Sequence, residues 1–203
     1  MKTLIIIDAQ NDFMPGGALA VPEGDTIIPL INSLQEKFDL VIATQDWHPN
    51  SHASFASSHD NAGEYEVIKL GDLDQVLWPE HCIQNTNGAK FHAELHTSKI
   101  EAIFRKGTNK EIDSYSGFYD NAHLKSTGLA GYLKEKLVTE LYFVGLAAEY
   151  CVYFSILDAL SEGFQVTLLE DGTRALNQEE FEKAKLDILG KGGRIMNSEE
   201  LEF

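Results

Sequence analysis

The sequence predicts an α/β fold, a doubly wound and mostly parallel sheet of about six strands with helices on both faces. Three observations carry that prediction. Short apolar runs alternate with longer amphipathic ones from one end of the chain to the other. The apolar runs are dense in Val, Ile and Leu without a polar face, as strands covered on both sides require. After the second run the rhythm stops for some fifty residues, from Trp47 to Lys99, which marks a long insertion.

The strands are read in order as "TLIIID" (Thr3 to Asp8), "LVIATQD" (Leu40 to Asp46), "EAIFRKG" (Glu101 to Gly107), "ELYFVGL" (Glu140 to Leu146) and "QVTLLED" (Gln165 to Asp171). "GRIMN", near Arg194 to Asn197, is a weaker sixth. Between the first two, Ile27, Leu30, Ile31, Leu34 and Phe38 repeat at helical spacing behind Thr26, the expected cap. A second helix holds Cys151, Phe154, Ser155, Leu157 and Asp158, and Gly163 ends it. In "NQEEFEKAKLDILG" Asn177 is the cap, and acidic residues behind it complement the helix dipole.

Length and charge narrow the function. The chain has 203 residues, 43% hydrophobic and 24% charged, enough for one domain spanning 1–203 with residues 47–100 as an active-site insertion. Against 16 Lys and Arg stand 32 Asp and Glu, a formal net charge of -16. That field repels a phosphate backbone or an anionic membrane, so neither nucleic acid nor lipid is expected as a partner, and a small neutral or cationic substrate is. The apolar start at Met1 is too short for a signal-peptide core, and no run approaches the roughly 20 residues of a membrane span. Two cysteines, Cys82 and Cys151, then read as reduced thiols of a cytoplasmic protein.

Polar residues collect where a doubly wound sheet binds ligands, beyond the carboxyl ends of its strands. Asp8 ends the first strand, Asp46 the second and Lys106 the third, and Cys151 follows the fourth. Each has a plain structural explanation: Asp8 can cap a turn, Lys106 can be a solvated strand end, and a buried cysteine is commonly a small hydrophobe. Four at one edge are harder to explain that way. A thiol needs a base or a positive potential to become a nucleophile. Asp8 can take its proton, Lys106 can hold the carboxylate, and the start of a helix adds a favourable dipole and outward N–H groups.

The insertion carries both tryptophans and six of the seven histidines, poor material for a mere linker. In "DWH", Asp46 and His48 stand two apart and face one side. "WPEHC" offers His81 as a third ligand and "HPNSH" offers His52 as a spare. One carboxylate and two imidazoles leave open positions for water or substrate, a set suited to zinc, iron or manganese. Cys82, beside His81, is read as packing, and His59, His92, His96 and His123 as surface or loop residues.

"IIIDAQNDFMPGGALAVPEGD", "ATQDWHPNSHASF", "LWPEHCIQNTNGAKFH", "RKGTNKEIDSYSGFYDN" and "GLAAEYCVYFSILDA" together resemble the nicotinamidases of the isochorismatase-like cysteine hydrolase family. The motifs are colinear and run from Thr3 to about Ala175. The resemblance implies a catalytic triad of Asp8, Lys106 and Cys151, and metal ligands Asp46, His48 and His81, with His52 a ligand in some members. It implies an aromatic pyridine pocket of Phe13, Trp78 and Tyr115, a cis peptide between Leu146 and Ala147, and an oxyanion hole of the Ala147 and Cys151 N–H groups. The implied reaction is hydrolysis of nicotinamide, and of pyrazinamide, through a thioester, in NAD salvage, with one divalent ion, zinc before iron or manganese. Ala148 and Glu149 depart from the Thr-Asp frequent in the family and leave the role of Glu149 open.

Rival readings remain. Another amidohydrolase of the family, acting on a carbamoyl compound or related carboxamide, keeps the triad but has no need of the metal set. An isochorismatase-type hydrolase has no need of the cysteine. A non-haem iron oxygenase would use the carboxylate and histidines but leave Cys151 without a task. A phosphoacceptor module would use Asp8 and Lys106 but leave the insertion unexplained.

Overall fold

The computed structural model describes residues 1–202. Six strands form one sheet: β1 (Lys2–Ile7), β2 (Leu40–Asp46), β5 (Ile100–Lys106), β6 (Glu140–Gly145), β7 (Gln165–Thr173) and β8 (Arg194–Met196). They lie in the order β5-β2-β1-β6-β7-β8, with every neighbouring pair parallel. The order reverses at β1, whose neighbours are β2 on one side and β6 on the other. A crevice opens at such a reversal, beyond the strand ends.

Side chains of successive residues leave a strand on opposite faces, and here both faces are buried. Leu4, Ile6, Val41, Ala43 and Val144 pack with Ile28, Ile31 and Leu34 of α1 (Ile28–Leu34). Ile5, Ile7, Ile42, Phe143 and Leu168 pack on the other face against α2 (Leu129–Glu135), α3 (Tyr153–Ser161) and α4 (Gln178–Gly190). Each fully buried aliphatic side chain contributes about 1.5–3 kcal/mol. This two-sided burial is why the inner strands read as apolar runs; β5, expected to be covered on both sides, lies instead at the sheet edge with one face open, Ile103 being 49% exposed.

Several local expectations need correction. Thr26 does not cap α1; its hydroxyl donates to the Glu23 carbonyl at 2.7 Å. The helical stretch behind it is split into a 3₁₀ turn (Gly24–Ile27), α1 and a second 3₁₀ turn (Gln35–Lys37). Pro29 near the start of α1 supplies fixed backbone geometry instead of a cap. The insertion contains an antiparallel hairpin, β3 (Val67–Leu70) with β4 (Leu73–Val76). Its Val67 is 58% exposed, so no buried face wrote a pattern into the sequence. Asn177 caps α4 as expected, accepting from the N–H groups of Glu179 and Glu180. No helix among the described residues is long and apolar enough to cross a membrane.

Candidate active site

The reversal of strand order delivers the site. β1 runs into Asp8, whose φ of 45° is left-handed, a conformation few residues other than glycine, Asn and Asp adopt. That turn aims the carboxylate across the sheet edge, where the Thr44 hydroxyl donates to Oδ1 at 2.6 Å and accepts the Asp8 N–H at 3.2 Å. On the other flank, β6 ends at Gly145 with φ 117°. A Cβ there would stand 2.0 Å from the Ile7 carbonyl oxygen, so only glycine allows β6 this close to β1. The Leu146–Ala147 peptide that follows is cis.

A π-helical turn, Ala148–Val152, then carries Cys151 into α3. Insertions of this kind recur at functional sites because they re-aim one side chain without ending the helix. The Ala147 carbonyl accepts the amides of Tyr150 and Val152, each at 3.2 Å, and not that of Cys151. Ser155 fixes the turn, donating to the Cys151 carbonyl at 2.6 Å and accepting the Gly117 N–H at 2.8 Å.

Lys106 is the hub. Its Nζ lies 2.9 Å from Asp8 Oδ2, 3.2 Å from Asp46 Oδ1 and 3.4 Å from Cys151 Sγ, and donates to the Ser114 carbonyl at 2.9 Å. The two carboxylate contacts are ion pairs rather than hydrogen bonds of good angle. Burial disfavours the ammonium, but Asp46 and Asp8 outweigh it and hold the Lys106 pKa well above the usual lysine range. Burial raises the Asp8 pKa, and Asp46 adds to this against the pull of Lys106. Burial also pushes the Cys151 thiol well up, with Lys106 opposing. The helix start therefore does not make a standing thiolate. The two groups meet through the Lys106 ammonium, a thiol whose pKa burial raises and a carboxyl with raised proton affinity.

Asp46, His48 and His81 also meet, all buried, with ligand atoms within 4.8 Å of one another. The tautomers of both rings follow from their partners. His48 Nδ1 faces the Gly107 carbonyl at 3.1 Å and His81 Nδ1 faces the Pro79 carbonyl at 2.8 Å, and a carbonyl can only accept. Both Nδ1 atoms carry hydrogen, so both Nε2 lone pairs turn to Asp46 Oδ2, at 3.0 and 3.4 Å. Three acceptors converging on one point require a cation. Without an ion the place falls to a second proton, and Asp46 raises the His48 pKa against burial. The donor set fits a divalent metal. Burial works against the charge on Asp46, yet His48 and Lys106 hold its carboxyl well below the usual range.

His52 stands apart from this trio. Its Nδ1 pairs with Ser54 Oγ at 2.7 Å and its Nε2 donates to the Asn109 carbonyl at 2.7 Å, so both nitrogens are engaged. It groups with His48 and Asp113 rather than with His81. Cys82 is buried, its thiol pushed well up by burial, as suits packing.

Phe13, Trp78 and Tyr115 line one pocket together with Asp46, His81, Ala147 and Cys151. Leu19, Asp113, Tyr150 and Leu176 complete its wall, and the sequence reading singled out none of them. Asp113 could have been found from its acidic side chain within "EIDSYSGF". Leu176 carries no chemical signal at all. Gln10 was also missed. It clasps Asp46, donating to its carbonyl at 2.8 Å and accepting its N–H at 2.7 Å.

A nicotinamidase of Escherichia coli (strain K12) is 46% identical over 180 residues, 87% of this chain and 84% of that protein. The solved structure of an Acinetobacter baumanii nicotinamidase/pyrazinamidase matches at TM-score 0.95 with 43% identity, covering 98% of this chain and 96% of that one. A Pyrococcus horikoshii pyrazinamidase solved in complex with zinc matches at TM-score 0.79 with 38% identity, over 97% of this chain and 98% of that one. With residues 2–200 matched by the model of the isochorismatase domain, the chain belongs to the isochorismatase family.

Proposed function

We propose that this chain is an amidohydrolase that converts nicotinamide to nicotinate and ammonia, with Cys151 as nucleophile, Asp8 as proton carrier and Lys106 as their common cation. The observation that carries the reading is the single buried ammonium of Lys106 shared by Asp8, Cys151 and Asp46, the last two of which line an aromatic pocket. In the first step Asp8 takes the Cys151 proton as the sulfur bonds to the carboxamide carbon. The amide N–H groups of Ala147 and Cys151 meet the developing oxyanion, a donor of that kind being worth about 2.7–4 kcal/mol. Asp8 gives its proton to the departing nitrogen, the C–N bond breaks, and ammonia leaves a thioester. Asp8 then takes a proton from water, whose oxygen attacks the thioester carbon. The C–S bond breaks and Asp8 returns the proton to sulfur.

Phe13, Trp78 and Tyr115 are assigned to hold the pyridine ring. Asp46, His48 and His81 would hold the metal, which when bound supplies a Lewis acid for the ring nitrogen. Zinc is the assignment, supported by the donor set and by the zinc in the Pyrococcus horikoshii relative. Residues 1–203 are proposed to act as one domain, in the cytoplasm. Ammonia release from nicotinamide tests the reading, run beside Cys151→Ala and a chelator-treated sample. Release that is lost in the variant and reduced by chelation is expected. A folded wild-type protein that releases none from nicotinamide, but does from another carboxamide, would move the assignment to that substrate.

A further inference from the structure

Glu149 lies two residues before Cys151 and is only 6% exposed, yet no lysine or arginine pairs with it among the described residues. Burying a carboxylate without a cation is costly unless it is hydrogen-bonded. Its partners are backbone amides: Oε1 accepts the Asn177 N–H at 2.6 Å and Oε2 accepts the Leu176 N–H at 3.2 Å. Next to it, the Ala148 N–H donates to the Arg174 carbonyl at 2.8 Å. Three hydrogen bonds thus stitch the turn that carries the nucleophile to the strap between β7 and α4. Capping α4 does not explain Glu149, because the Asn177 side chain already accepts from the first amides of that helix. What the strap presents to the site is Leu176.

The pocket is too tight for a ring as it stands. Its free space is about 20 Å³, against the roughly 150 Å³ of an apolar cavity that admits benzene. A wall must yield. Phe13, Leu19, Trp78 and Ala147 are each no more than 5% exposed and set in the core, and the half-buried Tyr115 and Tyr150 are braced edge-on against Trp78 and against each other. Leu176 is half-buried at the rim, on a segment held by Glu149.

We propose that Glu149 is a positioning residue that sets the width of the ring pocket through Leu176, and so decides between unsubstituted and ring-substituted pyridine carboxamides. The inference rests on the amidohydrolase reading above. It deepens that reading by naming what limits the substrate.

The test compares nicotinamide with 5-methylnicotinamide in wild type, Glu149→Gln, Leu176→Ala and the double variant, with kcat and KM separated and melting recorded for each. In Glu149→Gln an amide NH₂ faces a backbone N–H, and one stitch is lost. The ratio of kcat/KM for the methylated over the plain substrate should rise roughly tenfold, through KM, with kcat for nicotinamide within about twofold. Leu176→Ala should give a similar rise, and the double variant no more than the larger single effect. An unchanged ratio in a folded Glu149→Gln, or single effects that multiply in the double variant, overturns the inference. Should Glu149→Gln fail to fold, Glu149→Asp, which keeps both acceptors on a shorter arm, must move the ratio, and an unmoved ratio is fatal. Folded wild type that leaves both nicotinamide and 5-methylnicotinamide intact overturns the nicotinamide reading as well, whereas active variants with unmoved selectivity remove only the role of Glu149.

Discussion

At the scale of single residues the site is a problem in shared charge. One ammonium serves two carboxylates and a thiol, all buried, and removing one member of such a set leaves the others uncompensated. Lys106→Met is therefore expected to cost about 3–5 kcal/mol of stability as well as turnover, read by urea unfolding. Cys151→Ala removes a neutral thiol and should lose turnover by ~10⁴-fold or more, with a melting point close to wild type. An ammonia assay beside a thermal melt separates the two. Burial raises the pKa of Asp8. Its folded value exceeds its unfolded one, so the proton on Asp8 favours the fold at low pH, and that contribution is lost as pH rises through the folded value. The ionised Asp8 carboxylate is a standing cost that keeps its proton affinity high. The acid limb of kcat/KM should accordingly lie above the ordinary carboxylate range. A limb at or below that range would count against Asp8 as proton carrier. These residues were legible in the sequence because acid, amine and thiol carry chemistry in their types. Thr44, Gln10 and Leu176 were not, since their parts depend on which backbone or carboxylate the fold sets beside them.

At the scale of elements the strands announced themselves and the exposed pieces did not. β1, β2, β6 and β7 are covered on both faces, so their interior residues had to be apolar. The hairpin β3–β4 packs little, and its sequence bears no trace of a period. α2 was also missed. Its seven residues begin after Gly128 with no side-chain cap, though Leu129, Ala130 and Leu133 do face the core at helical spacing. The junction of β6 with the turn that carries Cys151 is the least forgiving element. Gly145→Ala would drive a methyl group into the Ile7 carbonyl, which is backbone and cannot step aside. A loss of at least about 2 kcal/mol is expected, with turnover falling alongside. Full activity and an unaltered unfolding midpoint in that variant would show the strands are not so closely apposed.

At the scale of the molecule the formal charge of -16 acts at long range. It leaves neutral nicotinamide indifferent and opposes the approach of anionic nicotinate. Raising salt screens the field, so inhibition by nicotinate should strengthen by about twofold between 10 and 150 mM salt, while kcat/KM for nicotinamide stays level. Inhibition that weakens with salt would mean local positive charge dominates. The strand order has a further consequence for a chain still being made. β1 sits between β2 and β6, and β6 leaves the ribosome only after β2, the long insertion and β5 have been made. Until then one edge of β1 has no partner, Asp8 has no thiol opposite it, and the nascent chain can cleave nothing. The same interval exposes a run of four apolar residues, Leu4 to Ile7, to any other strand nearby. Arrival of β6 closes that edge and brings the Cys151 turn opposite Asp8, while β7 must follow to cover β6 and to deliver the strap with Leu176.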